Sequence, residues 1–152
     1  MKITFRNANF EDASLLYFWR NSPEARNFSQ KSEPITLNEH TEWLSSRLLR
    51  ISEEPFLIFF WDQNPVGSIR LEFESNKSEK FFISIFVDPA YQGMGIGEKI
   101  LEITCEKYLS VDEATIIAKV KKSNLVSKKL FIKAGFKFVS NFDEYMIFEK
   151  IK

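Results

Sequence analysis

The sequence predicts a mixed α+β fold, and three observations carry that reading. An apolar run, FFISIFV at 81–87, is followed by a glycine-rich loop, an amphipathic helical pattern and a second apolar run, ATIIAKV at 114–120. That is the pattern of a strand–helix–strand crossover, which joins parallel strands. Two further runs, FLIFFW at 56–61 and VGSIRLEF at 66–73, flank the turn-forming DQNP and read as an antiparallel hairpin. Strand patterns also open and close the chain. Parallel and antiparallel pairs together imply a mixed sheet with helices packed against it.

Taken in order, KITFR (2–6) alternates as a short strand. Asn9, with Asp12 three positions on, can cap a helix that carries Leu15, Leu16, Phe18 and Trp19. Pro23 disfavours helix in the residue before it, so this helix should stop near RNSPE and give way to a polar connector. In ITLNEHTEWLSSRLL (35–49), Thr36 and Glu39 have capping-box spacing, and Leu37, His40, Trp43, Leu44, Arg47 and Leu48 recur at helical intervals. The run at 81–87 is apolar on both faces apart from Ser84, as expected of a strand buried within a sheet. In EKILEITCEKYL (98–109), Leu101, Thr104, Cys105 and Tyr108 fall on one side and Glu98, Glu102 and Glu106 on another, so Cys105 reads as a core residue. NLVSKKLFIKAGF (124–136) reads as a short helix ended by Gly135, and FKFVS (136–140) and YMIFEKI (145–151) as closing strands.

The length of 152 residues fits one domain, 1–152, with a full hydrophobic core. Lys plus Arg and Asp plus Glu are 21 each, so no overall field draws the chain to nucleic acid or to an acidic membrane. One cysteine excludes an internal disulfide, and with a single histidine, His40, no metal site is assigned. The start MKITFRNANFEDA lacks an apolar signal core, and no apolar run approaches the ~20 residues that span a bilayer, so the expected location is cytoplasmic.

Three of the chain's five glycines, Gly93, Gly95 and Gly97, sit in YQGMGIGEKI (91–100). A strand, a bare loop and a helix start together form an anion site, because unpaired amides point outward and the helix dipole adds about half a positive charge. A nucleotide P-loop is excluded, since GIGEK supplies no hydroxyl for magnesium. The G-x-G-x-x-G dinucleotide fingerprint is not met either, because the spacing here is G-x-G-x-G.

The segment Gln92-Gly93-Met94-Gly95-Ile96-Gly97 resembles motif A of the GNAT superfamily, the Gcn5-related N-acetyltransferases. NLVSKKLFIKAGF is similar to the family's motif B, at the expected distance. The resemblance implies a GNAT fold, with a central mixed sheet of six to seven strands splayed between strands 4 and 5. It also implies acetyl-coenzyme A (acetyl-CoA) as co-substrate, with its pyrophosphate on Gln92, Gly93, Met94, Gly95, Ile96 and Gly97. Phe86 and Val87 would flank the pantetheine arm, beside a bulge in their strand. Motif B would contribute Asn124, Ser127, Lys128 and Phe131. Lys119, Lys121, Lys122, Lys128, Lys129, Lys133 and Lys137 form a run without an acid, suited either to the adenosine 3′-phosphate or to a solvated face.

Acetyl transfer needs a neutral amine, stabilisation of the oxyanion and a proton for the departing thiolate. The motif B tyrosine that supplies the proton in many relatives is Phe131 here, which cannot donate. Ser127, Tyr145 or water remain as substitutes. Glu72 lies on the strand face opposite Leu71 and Phe73, so it is either a general base with Ser84 holding a water, or a solvent-facing carboxylate. Arg20, Arg26, Lys31 and Arg70 are candidate acceptor cations, and Trp19, Phe28, Trp43 and Phe73 candidate stacking rings. His40 reads as an acceptor contact or as a half-buried, hydrogen-bonded ring. Arg26 follows a proline turn, which favours a functional role. WRNSPEARNFS and ITLNEHTEWL resemble the acceptor region of bacterial sugar-nucleotide N-acetyltransferases, and share features with ribosomal-protein-type enzymes. The expected partner is therefore a small-molecule amine, with a nucleotide sugar as the candidate the resemblance suggests, bound by a monomer or homodimer. The other readings are a peptide or small-amine acetyltransferase and a non-catalytic acyl-CoA binder.

Overall fold

The computed structural model describes residues 2–28, 33–76, 78–110 and 113–152, with Phe28 described by its backbone alone. The elements are β1 (Ile3–Asn7), α1 (Ala13–Arg20), α2 (Pro23–Phe28), α3 (Leu37–Leu48), β2 (Phe56–Trp61), β3 (Asn64–Phe73), β4 (Lys80–Val87), α4 (Ile96–Tyr108), β5 (Thr115–Lys121), α5 (Leu125–Lys133), β6 (Lys137–Phe142) and β7 (Tyr145–Ile151). The strands form one seven-stranded sheet in the order β1-β2-β3-β4-β5-β7-β6. Every neighbouring pair is antiparallel except β4 and β5, the pair joined through α4. The mixed sheet of the GNAT fold is thus present with seven strands.

Period-two alternation sorts the sheet onto two cores. Leu57, Ile69, Leu71 and Ile83 meet Ile96, Ile100, Leu101 and the buried Cys105 of α4. Phe56 and Ile58 meet Leu16, Trp19 and Leu44 of α1 and α3 on the other face. Each fully buried side chain of this size contributes about 1.5–3 kcal/mol from removal of apolar surface.

The fork lies between β4 and β5. Only Lys80–Phe82 pairs with Thr115–Ile117; farther on, β4 stays with β3, and β5 with β7. The register of β3 on β4 runs unbroken from Gly67↔Val87 to Phe73↔Phe81, so no bulge at Val87 opens the sheet. The register shifts lie elsewhere, at Phe59/Phe60 and at Phe138/Ser140. The expectation of a fully buried β4 is also corrected. Ile83 is its one buried residue: Lys80 and Phe82 are exposed in the half paired on both sides, and residues 84–87 are half-buried along the fork.

Pro23 ends α1 and also begins α2, where a polar connector was expected. The Ser22 hydroxyl donates to Trp19 O at 2.7 Å and accepts the Ala25 amide at 3.2 Å, bridging the two helices. Ser-Pro-Glu is a helix-start signal, with a capping serine, proline in the first turn and an acid near the positive helix end. Arg26 therefore lies in a helix and not in an irregular turn, which removes that argument for its function. At α3, Thr36 accepts the Glu39 amide at 3.2 Å, while the complete capping box forms at Asn9 and Asp12. Asp12 is further fixed by two 2.8 Å bonds from Arg6.

Among the described residues, no helix is long and apolar enough to cross a membrane.

Candidate active site

The donor side begins where β4 runs into Asp88. Its carboxylate accepts the Ala90 amide at 2.9 Å, which caps the turn Pro89–Tyr91, and accepts Trp19 Nε1 at 2.9 Å. Trp19 is only 2% exposed, so it is an internal anchor tying α1 to this loop and not a stacking surface. Gln92 follows in extended conformation, its Nε2 donating to Val87 O at 3.3 Å.

Gly93 and Gly95 both have φ of +79°, in the left-handed region that side chains rarely adopt, and a Cβ at either would meet nothing within 4 Å. Gly95 is the N-cap of α4 and offers no side-chain cap. Among the described residues, the amides from Gly93 to Glu98 find no backbone acceptor, and the first to do so is Lys99, on Gly95 O at 3.2 Å. A left-handed loop, a helix N-terminus and free amides opening on space are the requirements of an anion cradle. Gly97 has a different task. A Cβ there would come to 3.2 Å from Leu130 Cδ2, so its bareness serves the packing of α4 on α5.

On the second motif, the Asn124 side chain accepts the Ser127 amide at 3.1 Å and so caps α5. Ser127 and Lys128 are half-buried in the first turns of that helix. Phe131 is 3% exposed and meets Phe136 edge-on at 5.0 Å, which makes it a core residue in this structure. The lysine run is not uniformly free. Lys133 pairs with Glu98 at 2.7 Å, and Lys119 lies over the rings of Tyr145, at 4.3 Å, and Phe142, at 5.6 Å. Tyr145 belongs to β7, on the far arm of the fork.

The opposite sheet face carries the acid candidates. Arg70 stands opposite Ser84 and Glu72 opposite Phe82, so Arg70, Glu72 and Ser84 share one face, with Ser84 a diagonal step from Glu72. Glu72 Oε1 accepts from Arg70 Nη1 at 3.3 Å, with both side chains about one-third exposed. Arg70 lies over the Trp43 ring at 5.0 Å, and Arg20, at the end of α1, lies over the same ring at 4.6 Å. Trp43 is braced edge-on by Phe56 at 6.0 Å. Burial and mutual repulsion pull the Arg20 guanidinium below its ordinary value, with Glu39 opposing; burial does the same to Arg70, against Glu72. Phe73 stacks on Phe81 at 5.0 Å, on the face of β3 opposite this cluster.

His40 is wholly buried, which removes it as a direct acceptor contact. Its Nε2 lies 3.1 Å from Ala13 O, so that nitrogen carries the proton, and Nδ1 has no partner among the described residues. Burial depresses its basicity, the Ala13 carbonyl opposes this, and Arg20 adds to the depression. Arg26 is half-buried, with its Nε unpartnered. Lys31 and the Phe28 side chain lie outside the described residues.

Two features escaped the sequence reading. Arg47, 1% exposed, donates to Glu54 O at 2.7 Å and to Pro55 O and Leu71 O at 3.1 Å each, beneath the Arg70 cluster. Its helical spacing beside Leu44 and Leu48 placed it on the core stripe, and that was the available signal. Gly67 brings β3 so close to β4 that a Cβ would stand 2.4 Å from Phe86 O; a glycine inside a strand is the signature of such an approach. A cleft of about 520 Å³ opens beside Asp88 and Pro89, against Tyr17, Asn21 and Ser22 at the α1–α2 corner.

The family model for the acetyltransferase (GNAT) domain matches residues 2–137, so the chain belongs to the GNAT acetyltransferases. Solved structures share the fold. The ribosomal L7/L12 alpha-N-protein acetyltransferase in complex with coenzyme A superposes with a TM-score of 0.84 at 13% identity, covering 99% of this chain and 94% of the other. An aminoglycoside acetyltransferase in complex with coenzyme A and kanamycin gives 0.80 at 21% identity, covering 99% and 95%. A putative acetyltransferase from Salmonella typhimurium with its cofactor acetyl-CoA gives 0.79 at 17%, covering 99% and 94%. No curated protein matches the sequence.

Proposed function

We propose that this GNAT acetyltransferase moves the acetyl group of acetyl-CoA to the amino group of a nucleotide-linked amino sugar, by direct attack in a ternary complex. One observation carries the donor half: the unbonded amides from Gly93 to Glu98, reached past two glycines whose Cβ positions are open. The residues fit the carrier, since a diphosphate needs several convergent donors, and the carboxylate within the segment, Glu98, is engaged by Lys133 at 2.7 Å. Gln92, Met94 and Ile96 complete that loop with Gly97, Phe86 and Val87 border the fork, and Asn124, Ser127 and Lys128 present the N-terminus of α5. Phe131 closes the core beneath.

Acetyl-CoA supplies the reactive thioester. Glu72 takes the proton of the incoming ammonium, with Ser84 holding an intervening water. The amine nitrogen bonds to the carbonyl carbon and gives up its second proton to water, the carbon–sulfur bond breaks, and the thiolate takes a proton from water or from Tyr145, which regains its own from solvent. A thiol with an ordinary pKa near 8.5 is a tolerable leaving group, so the missing motif B tyrosine lowers the rate without abolishing the reaction. The acceptor half is supported by the resemblance of the first two helical segments to sugar-nucleotide enzymes and by the fold shared with an aminoglycoside enzyme. The fold shared with the ribosomal-protein enzyme keeps a peptide amine as the second reading.

The experiment follows free thiol while the protein meets acetyl-CoA and a panel of UDP-amino sugars, kanamycin and peptides. Release with the UDP-amino sugars is the expected result. Release with peptides alone removes the sugar reading, and binding without release for every acceptor removes catalysis.

A further inference from the structure

The cations around Trp43 are only partly matched by carboxylates. Arg20 has no hydrogen bond to a described residue, and Arg70 has one, the 3.3 Å contact to Glu72. A guanidinium carries five N–H donors, so most of both forks stays open. Arg47, beneath them, brings a third positive charge whose Nη1 and Nη2 are engaged by carbonyls while its buried Nε has no partner among the described residues. Against these three stand Glu72 and, through space near Arg20, Glu39, while Glu54 is engaged by Arg50 at 2.6 Å and by the Phe73 amide.

Holding Arg20 and Arg70 over one indole costs Coulomb repulsion, which the ring quadrupole offsets in part. An oxyanion between the two forks removes that repulsion and fills both sets of donors. Guanidinium geometry matches phosphoryl oxygens in bidentate fashion, and a phosphoryl group has enough oxygens to serve two forks at once. The position suits an acceptor site, because Arg70 is the cross-strand partner of Ser84, on the strand that borders the fork.

We infer that Arg20 and Arg70 form a clamp on the Trp43 ring for a phosphoryl group carried by the acceptor, so that the acceptor amine is a phosphorylated or nucleotide-linked one. This rests on the acetyltransferase reading for its setting, and deepens it by naming the second anion.

Calorimetry tests the clamp on protein saturated with coenzyme A, so that the glycine loop is filled. The probes are UDP, inorganic phosphate, uridine and acetate, titrated into the wild type, Arg20→Gln, Arg70→Gln and the double variant. UDP is expected to bind the wild type at least tenfold tighter than uridine, with phosphate giving saturable heat. Each single variant should weaken UDP by about ten- to a hundredfold, while coenzyme A affinity stays within about twofold. Equal UDP affinity in wild type and double variant overturns the clamp, as does the absence of saturable heat from both UDP and phosphate, or acetate binding tighter than phosphate. Should Arg70→Gln fail to fold, the exposed Arg20→Gln carries the test. If coenzyme A itself gives no heat, the donor reading falls, and loss of UDP heat in the variants still reads the clamp.

Discussion

Between Gly93 and Glu98, positive potential comes from backbone amides; over Trp43 it comes from two guanidiniums on separate elements. The donor loop needs little from the rest of the molecule. A left-handed turn at Gly93 and Gly95, followed by a helix start, orients its donors whatever surrounds them. The Trp43 cluster exists only once α1, α3 and β3 have docked, and it stands on supports, Arg47 and His40, that are closed to solvent. A local device and an assembled one should therefore respond differently to substitution.

The largest expected effect tests the assembled side. Replacing Glu72 by Gln should lower kcat/KM by about 10²–10⁴ and flatten the rising acid limb of its pH profile, with acetyl-CoA affinity unchanged. An unaltered profile removes Glu72 from the mechanism. The donor loop is sharpened by Gly95→Val, which forces a β-branched residue into φ of +79° and fills the open side of the amides. Coenzyme A affinity of the folded protein should fall by about a hundredfold, and the left-handed strain alone should lower stability by about 1–3 kcal/mol in urea unfolding, since a Cβ there meets no neighbour in the protein.

Arg47→Met should spare coenzyme A binding. Three carbonyls lose their donor, so stability should fall by about 2–4 kcal/mol in urea unfolding, with coenzyme A affinity of the folded fraction retained. The smallest effect concerns His40. Its folded-state pKa is depressed, chiefly by burial, so below the ordinary value of about 6.5 the unfolded chain binds a proton that the folded chain refuses. Stability from the neutral ring is complete above that pH and declines as pH falls toward the folded value. His40→Gln should remove this limb, so that the difference between the two urea midpoints changes between about pH 7 and pH 5 and is flat above 7.

The same contrast decides what could be read beforehand. The loop was legible because left-handed turns select glycine, and three glycines at alternate positions are conspicuous. Their separate duties were not, since the contact of Gly97 with Leu130 depends on how α5 packs. The strands were legible from alternation, and β7 falls on Tyr145–Ile151 as its pattern indicates. The fork was expected from a bulge, yet it arises because the pairing of β4 with β5 ends at Phe82 and Ile117 while β5 keeps β7 along its whole length, a matter of long-range pairing. Helix α2 was written in Ser22-Pro23-Glu24, where proline was weighed as a stop alone. On the acceptor side, Arg70 and Trp43 are far apart in sequence, and no local pattern joins them or links Trp19 to Asp88. His40 showed its helical position, while its complete burial came from Tyr17 and Trp43 closing on either side.

Acetyl transfer as proposed requires the amides at the start of α4 to receive the diphosphate of acetyl-CoA. Amide nitrogen–proton correlation spectra read this directly, as coenzyme A and then pantetheine, which lacks the diphosphate, are titrated into the labelled protein. Large shifts at Gly93, Gly95 and their neighbours through Glu98 with coenzyme A, and small ones with pantetheine, are predicted. Equal shifts with both compounds, or none along this segment, contradict it.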